Sequence, residues 1–491
     1  MKKNPRTSIG GLSIHQLTTG LWQVADQEKE GNLLDLEVGA NELEQYYQDG
    51  FGTFDMADHY GSAELITGRL LARYEYEQHK PIACTKWCPV PGPMTKEVVR
   101  KGVQERLDRL GVQQLDLLQF HWWTFQHPAW LDALHELAEL RERGLIKELG
   151  VTNFDAAHLH LALADDIPIR SNQVSFSLLD RRAGGSLREV CEHHAVKILA
   201  YGTLCGGFLT KRWLGQGDPE KISDWSRMKY RRFIESSGGW NAFQSILSAA
   251  EKIAWKHQVS LANVATKWVL SQNHVAAVII GARIGESQHR QNNMELFEFE
   301  LDHEDFQSLE KTFEETTPVP GDCGDEYRKP PFLTATGDLS HHLEQVEKIF
   351  VSNPGQSRDD AVQVLSGTEW EDIAGYCRAQ RIGDLIVVSG TTATAGHSRI
   401  VARGDAAAQT TFILDKIAAA LEALGASMKD VVRTRIYLVN VDDTLAVSKA
   451  HGRVFGQVKP ANTLLQVGGL VGDYLVEIEA DALVRNDNNL N

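Results

Sequence analysis

The sequence predicts an α/β protein, a closed (β/α)8 TIM barrel followed by a smaller α+β domain. Three observations carry this. Between residues 50 and 300, short apolar strands alternate with helix-length amphipathic segments, the pattern of a parallel sheet buried on both sides. From Glu314 to Thr368 the composition shifts to Pro, Gly and acidic residues without an apolar period, which reads as a linker. Beyond it, a second set of strands alternates apolar and polar residues, so one face is covered and the other wet. A chain of 491 residues also exceeds what one hydrophobic core usually supports.

Taken in order, the barrel strands are "GLW" (20–22), "FGTFDMA" (51–57), "PIACTKW" (81–87), "LDLLQFHWW" (115–123), "IKELGVTNF" (146–154), "SNQVSFS" (171–177), "VKILAYGTL" (196–204) and "VAAVIIGA" (275–282). Eight is the count that closes a (β/α)8 barrel. Between them lie segments such as Thr95 to Gly111, with a Thr N-cap, a Gly stop, and Val99, Val103, Leu107 and Leu110 on one face. The expected divisions are 1–314 for the barrel, 315–367 for the linker, 368–485 for the second domain and 486–491 for a tail. Within the linker, "LSHHLEQVEKIF" (339–350) is a short amphipathic helix. In the second domain, Asp405 and Gly425 bracket a helix whose stripe is Ile413, Ile417, Ala420, Leu421 and Leu424. It is flanked by "DLIVVSG", "VVRTRIYLV", the helix "TLAVSKAHGRVFG", "TLLQVGG" and "YLVEIEADALV".

Composition narrows the function classes. A formal net charge of −16 repels a polyphosphate backbone, so small molecules are expected partners rather than nucleic acid. The N-terminus has no apolar core of a signal peptide, and no window approaches eighteen uninterrupted apolar residues, which points to a cytoplasmic protein with no membrane partner. Cys84 and Cys88 are the one close cysteine pair, and their spacing matches no common zinc or redox motif, so no metal site is expected.

The C-terminal ends of barrel strands face the catalytic mouth. The second strand delivers Asp55 and, five residues on, Tyr60; the third delivers Lys86; the fourth delivers His121. A phenol titrating near 10 exchanges protons poorly at neutral pH, and a nearby ammonium stabilises its phenolate. Lys86 supplies that ammonium, Asp55 holds it, and His121 orients a carbonyl oxygen beside Tyr60, which protonates it as hydride arrives at carbon. Each residue alone has an ordinary structural reading; the four in strand order make a device. Trp22 and Trp122 are the expected aromatic walls of the substrate pocket. His59 and Asp58 are assigned only local hydrogen bonding.

On "DMADHY", "TKW", "FHW", "GVTNF", "NQVSFSLLD" and "AYGTLCGGFL", residues 7 to 313 resemble the aldo-keto reductase family. The resemblance implies Asp55, Tyr60, Lys86 and His121 as its catalytic tetrad. It implies Thr152, Asn153 and Gln173 at the nicotinamide amide and Tyr201 stacked on the ring. It also places backbone around Gly202, Thr203, Leu204, Gly206 and Gly207 close to the pyrophosphate, with Trp22 in the same cofactor-binding set. "VIIGARIGESQHRQNN" resembles the segment gripping the adenosine end, which adds Arg283, Gln288, Asn292 and Asn293. Arg283 suits a 2′-phosphate, so NADP(H) is favoured over NAD(H). The implied reaction reduces an aldehyde or ketone, or oxidises an alcohol or sugar; a non-catalytic cofactor-bound sensor is the rival.

Residues 368–485 resemble the Rid (reactive intermediate deaminase) family of trimeric, chorismate-mutase-like α+β domains, on "GYCRA", "VVSG", "DVVRTRIYL" and "LVEIEADAL". The matching pocket positions are Tyr376, Ser389, Gly390 and Glu479. After the "PA" pair, where the deaminases carry an arginine, this chain has Asn462. An amide supplies neither the charge nor the fork that clamps a carboxylate. Three readings stay open: an assembly module giving a homotrimer or dimer of trimers, with the barrels tethered outside it by the linker; a site hydrolysing a non-carboxylate imine to the carbonyl that the barrel reduces; or a remnant.

Overall fold

The computed structural model describes residues 4–28, 31, 33–222, 224–286, 289–328, 346, 349–355 and 361–484. Gln288, the tail and nearly all of the helix expected at 339–350 lie outside the described residues.

A hairpin, β1 (Arg6–Ile9) and β2 (Leu12–His15), opens the chain. Its Ile9, Leu12 and Ile14 pack against Ile82, Leu117 and Leu199 inside the barrel, plugging the N-terminal end. The barrel strands are β3 (Leu17–Gly20), β4 (Thr53–Asp55), β5 (Ile82–Trp87), β6 (Leu115–His121), β7 (Ile146–Thr152), β8 (Ile169–Ser175), β9 (Lys197–Tyr201) and β10 (Val275–Gly281). They pair in parallel in that order, and β10 returns to β3 to close the ring. With one end plugged, the C-terminal mouth is the open one. The helix expected after Thr95 runs Lys96–Leu110, its first turn capped by the Thr95 hydroxyl and its end by Gly111 at φ 66°. The first strand differs from expectation. It ends at Gly20, where Leu21 N–H makes the last ladder bond to the Asp55 carbonyl, and from Trp22 the chain turns into a helix, Trp22–Glu28.

The second domain is a seven-stranded sheet in the order β11 (Ser352–Pro354), β12 (Ala361–Val364), β13 (Ala379–Ile382), β14 (Leu385–Thr391), β19 (Val476–Leu483), β17 (Val431–Leu438), β18 (Ala461–Gln466). A two-residue pair, β15 (Thr394–Ala395) with β16 (Arg399–Ile400), stands apart from it. Helices Ala406–Ala423 and Thr444–Phe455 lie on one face. The other face exposes Leu385, Val387 and Leu483.

Two expectations about the linker need correction. Ser352–Pro354 and Ala361–Val364 are strands of the second sheet, and residues 316–328 fold onto the barrel, where Asp325, Glu326 and Tyr327 are buried. Arg182 anchors this stretch, donating to the Asp322 carbonyl at 2.7 Å and the Glu326 carboxylate at 2.9 Å. Nor does the second domain hang on a tether. Helix Ala406–Ala423 packs against barrel helix Ala156–Ala164. His158 bridges Asp155 and Asp415, His160 pairs with Asp405, and Asp165 meets Arg399 and the Ala402 N–H. Proline-rich composition marks the absence of a helix or strand period, not the absence of packing.

Candidate active site

Asp55, Lys86 and His121 end three adjacent strands, β4, β5 and β6, so their side chains gather at the mouth. After Asp55 the chain crosses over β5, with Asp58 N–H donating to the Lys86 carbonyl and Tyr60 N–H to that of Ala57. That crossing answers why an acid and a phenol stand five positions apart, since it lays Tyr60 over the neighbouring strand. Lys86 Nζ sits 4.9 Å from the centre of the Tyr60 ring. It donates to Asp55 Oδ2 at 2.6 Å and to the Met56 carbonyl at 3.0 Å. Asp55 Oδ1 accepts from Gln119 and Gln173 at 3.1 and 2.7 Å. All of these groups are buried apart from Tyr60.

His121 is held neutral. Burial pushes its pKa well below the ordinary imidazole value, and the nearby charges of Arg328, His59, Lys86 and Lys229 push the same way. Its Nδ1 lies 3.8 Å from Cys88 Sγ, and its Nε2 has no partner among the described residues. A neutral imidazole with one nitrogen aimed into a cavity can hold a carbonyl oxygen without competing for the proton. Asp58 accepts from Cys88 N–H at 2.8 Å and pairs with His59 at 2.9 Å, the local bonding expected of both. Burial alone would raise the Asp58 pKa, but His59, Cys88 N–H and Arg106 together bring it below the usual range.

The two tryptophans part company. Trp22 lines the cavity and meets Tyr60 edge to face at 5.1 Å. Trp122 does not: its ring is fully buried on Phe120 and its Nε1 donates to the Thr124 carbonyl at 2.6 Å. A β-strand sends successive side chains to opposite faces, and Trp122 leaves on the side away from the mouth.

One cavity of about 1020 Å³ runs from the tetrad to Arg283, Asn292 and Asn293. Thr152, Asn153, Gln173, Tyr201, Gly202, Leu204 and Gly206 line it between those ends. Asn153 adopts φ 58°, and its Oδ1 accepts from the Tyr201 hydroxyl at 2.9 Å. A left-handed asparagine between a strand and a loop turns its side chain inward where an extended residue would turn it away. Gly202, at φ 70°, has no room for a Cβ, which would lie 2.1 Å from the Tyr230 hydroxyl. Among the described residues, Thr152 Oγ1 and Thr203 Oγ1 are buried in the cavity wall without protein partners. Together with His121 Nε2 and Gln23 Oε1, these are unsatisfied groups that a polar ligand spanning the cavity would meet, so the residues fit a dinucleotide. Arg283 is already engaged, donating to Asp26 and Asp224 at 3.0 Å each and facing Glu286 at 3.4 Å.

Sequence reasoning missed three members of this site. Gln119, two residues before His121 on β6, shares its inward face and could have been found from that period. Lys229 and Tyr327 carry no local signal. The first follows a long loop, and the second sits in the stretch read as linker.

In the second domain, Tyr376, Ser389 and Gly390 gather around buried Arg378, which donates to the Gly390 carbonyl at 2.7 Å and the Tyr376 hydroxyl at 3.3 Å. Glu479 lies on the open face, paired with Arg435 at 3.3 Å. Asn462 is not brought to them. Its amide donates to Thr434 Oγ1 at 2.9 Å, and Thr434 is buried beneath the helices.

The aldo/keto reductase family model matches residues 16–314, and the model described as Endoribonuclease L-PSP matches residues 367–484. The protein tas of Escherichia coli is 28% identical over 320 residues, covering 56% of this chain and 88% of its own. The chloroplastic pyridoxal reductase of Arabidopsis thaliana is 25% identical over 291 residues, covering 55% and 76%. A RutC family protein of Pyrococcus abyssi is 34% identical over 110 residues of the C-terminal domain, covering 22% and 87%. The glycerol dehydrogenase structure from Gluconobacter oxydans shares the fold, with a TM-score of 0.54 at 23% identity over 65% of this chain and 98% of its own. With a family model covering well over half its length and a parallel eight-stranded barrel to match, this chain belongs to the aldo/keto reductase family of oxidoreductases and carries a Rid-type domain fused behind the barrel.

Proposed function

We propose that the barrel reduces an aldehyde or ketone, or oxidises the corresponding alcohol or sugar, with NADP(H), and that Tyr60 is its general acid. One observation carries this reading: a buried Lys86–Asp55 pair beneath the Tyr60 ring, beside a neutral His121 whose Nε2 opens into the same cavity. When bound, the nicotinamide supplies or accepts the hydride. Thr152, Asn153 and Gln173 would hold its amide, Tyr201 would back its ring, and Arg283 with Asn292 and Asn293 would grip the adenosine end, all of them lining the cavity. His121 Nε2 holds the substrate oxygen, and Tyr60 delivers the proton as negative charge develops there, stabilised by the Lys86 ammonium. The deciding experiment follows NADPH oxidation against a panel of carbonyls. Tyr60→Phe keeps the ring against Trp22 and so the fold and cofactor binding, while turnover falls by about 10² to 10⁴. Turnover close to that of the native chain in this variant removes Tyr60 from the role.

The C-terminal domain we assign to three-fold assembly. Its sheet leaves Leu385, Val387 and Leu483 exposed on the face that no helix among the described residues covers, and Asn462 is turned to the opposite side, away from Glu479. Light scattering on the full chain should give a trimer or a dimer of trimers, and Val387→Asp should dissociate it. A monomeric native chain rules the assembly out. No helix among the described residues is long and apolar enough to cross a membrane, and six free cysteines fit a reducing cytoplasm.

A further inference from the structure

We propose that Tyr327 is a specificity-determining wall of the substrate site, and that the C-terminal domain holds it there. This rests on the reductase reading and adds to it a contribution from outside the barrel.

The stretch 322–328 lies directly on the mouth. Gly324, at φ 87°, approaches so closely that a Cβ there would sit 2.1 Å from the Asn153 carbonyl. Tyr327 follows. Its ring stands edge to face with His121 at 5.3 Å and 89°, and 6.2 Å from Trp123. It lines the cavity beside the His121 nitrogen that has no partner among the described residues. Its hydroxyl is occupied elsewhere, accepting from Lys229 Nζ at 2.6 Å and lying 3.2 Å from the Tyr201 hydroxyl. The ring is therefore the surface offered to a carbonyl substrate, and the hydroxyl is its anchor. An aromatic plane facing the oxygen-binding imidazole limits the width of whatever flanks the carbonyl carbon.

The anchorage extends into the other domain. Arg328 donates to the Trp122 carbonyl at 2.9 Å and lies 4.2 Å over the Phe125 ring. Phe125 stacks on His158 at 3.7 Å, with the planes 10° apart. His158 Nε2 bonds Asp415 of the C-terminal helix at 2.9 Å. At the segment's other end, Asp322 faces Arg453 of the same domain at 3.9 Å. The two domains thus clamp the segment between them, with Lys229, Arg328, His158 and Asp415 as positioning residues. In a barrel without this clamp, a stretch of glycine, aspartate and cysteine would have little apolar surface to fix it.

The test uses the full chain. Tyr327→Ala should lower kcat/KM for the preferred carbonyl by about 10- to 100-fold, mostly through KM, and admit bulkier carbonyls. Tyr327→Phe keeps the wall but loses the anchor and should shift KM several-fold less. Asp415→Ala should raise KM in the same direction and increase amide exchange over residues 322–328, with NADPH affinity unchanged. Asp415→Asn, which retains an acceptor for His158, should restore both. An unchanged substrate range in Tyr327→Ala, or an unchanged exchange pattern in Asp415→Ala, overturns the proposal. If the native chain turns over no carbonyl with NADPH, the reductase reading fails instead, and the exchange measurement still judges the clamp.

Discussion

Replacing Lys86 with methionine removes the one ammonium that both balances Asp55 and faces Tyr60, so two quantities should change together. The pair is buried, its side chains 3% and 5% exposed, and closes at 2.6 Å. Breaking a buried pair from one side leaves the other charge uncompensated, at a cost of roughly 3–5 kcal/mol. Asp55 keeps the amide donors of Gln119 and Gln173, which places the expected loss at the lower end, about 3 kcal/mol. The catalytic effect follows from the distance. Negative charge developing on a ring 4.9 Å from the ammonium is stabilised by about 3 kcal/mol at an effective dielectric constant near 20. That corresponds to about two decades in turnover. Chemical denaturation and NADPH-linked kinetics measure the two losses separately. The double variant Lys86→Met with Asp55→Leu separates them, because replacing both charges by apolar groups recovers stability while leaving the phenol without its ammonium. If Lys86→Met turned over at the native rate, or if the double variant regained turnover along with stability, the electrostatic account of Tyr60 would be wrong.

Arg283→Ala should weaken NADPH far more than NADH, as measured by fluorescence titration; equal losses would mean that the guanidinium serves Asp26, Asp224 and Glu286 rather than a 2′-phosphate. The interdomain bridge should be sensitive to pH. Burial opposes the charged form of His158, but Asp155 and Asp415 outweigh it and raise its pKa above the ordinary 6.5, while Asp155 is held well below the ordinary 3.8, with Arg453 contributing. A raised imidazole stabilises fully below 6.5 and loses its contribution as pH rises through the raised value. A depressed carboxylate is lost only as pH falls through its own. The bridge therefore contributes most between 3.8 and 6.5 and weakens above. His15, His121, His194, His274 and His451, all lowered by burial, act with the opposite sign. Calorimetry of the native chain against His158→Gln isolates the bridge: the difference in Tm should shrink as pH rises above 6.5, and a constant difference would refute the charged-histidine account.

How much could be read in advance depended on whether the information was local. The barrel was legible because a parallel strand buried on both sides must be a short apolar run and a surface helix must repeat near 3.6, both periods visible in one segment. The tetrad was legible for a related reason. Strand ends are positions in sequence, and a barrel turns them into positions around a mouth, so Asp55, Lys86 and His121 converge by topology alone. The elements, their order and the residues at their ends can therefore be read along the chain before it folds.

Other features exist only once remote segments have packed together. Which way Trp122 turns depends on the packing of Phe120 and the carbonyl of Thr124, not on its neighbour His121. That Lys229 and Tyr327 meet across 98 residues of chain depends on two surfaces closing on each other. The stretch around Tyr327 has no period because nothing regular holds it. Single contacts fix it instead, Arg182 to Glu326, Arg328 to Phe125 and Gly324 against Asn153, each supplied by a part of the chain remote in sequence. Periodicity reports what a segment does repeatedly along its own length. A side chain fixed once, by a distant partner, leaves no such trace, and the wall we propose for the substrate site is made of such side chains.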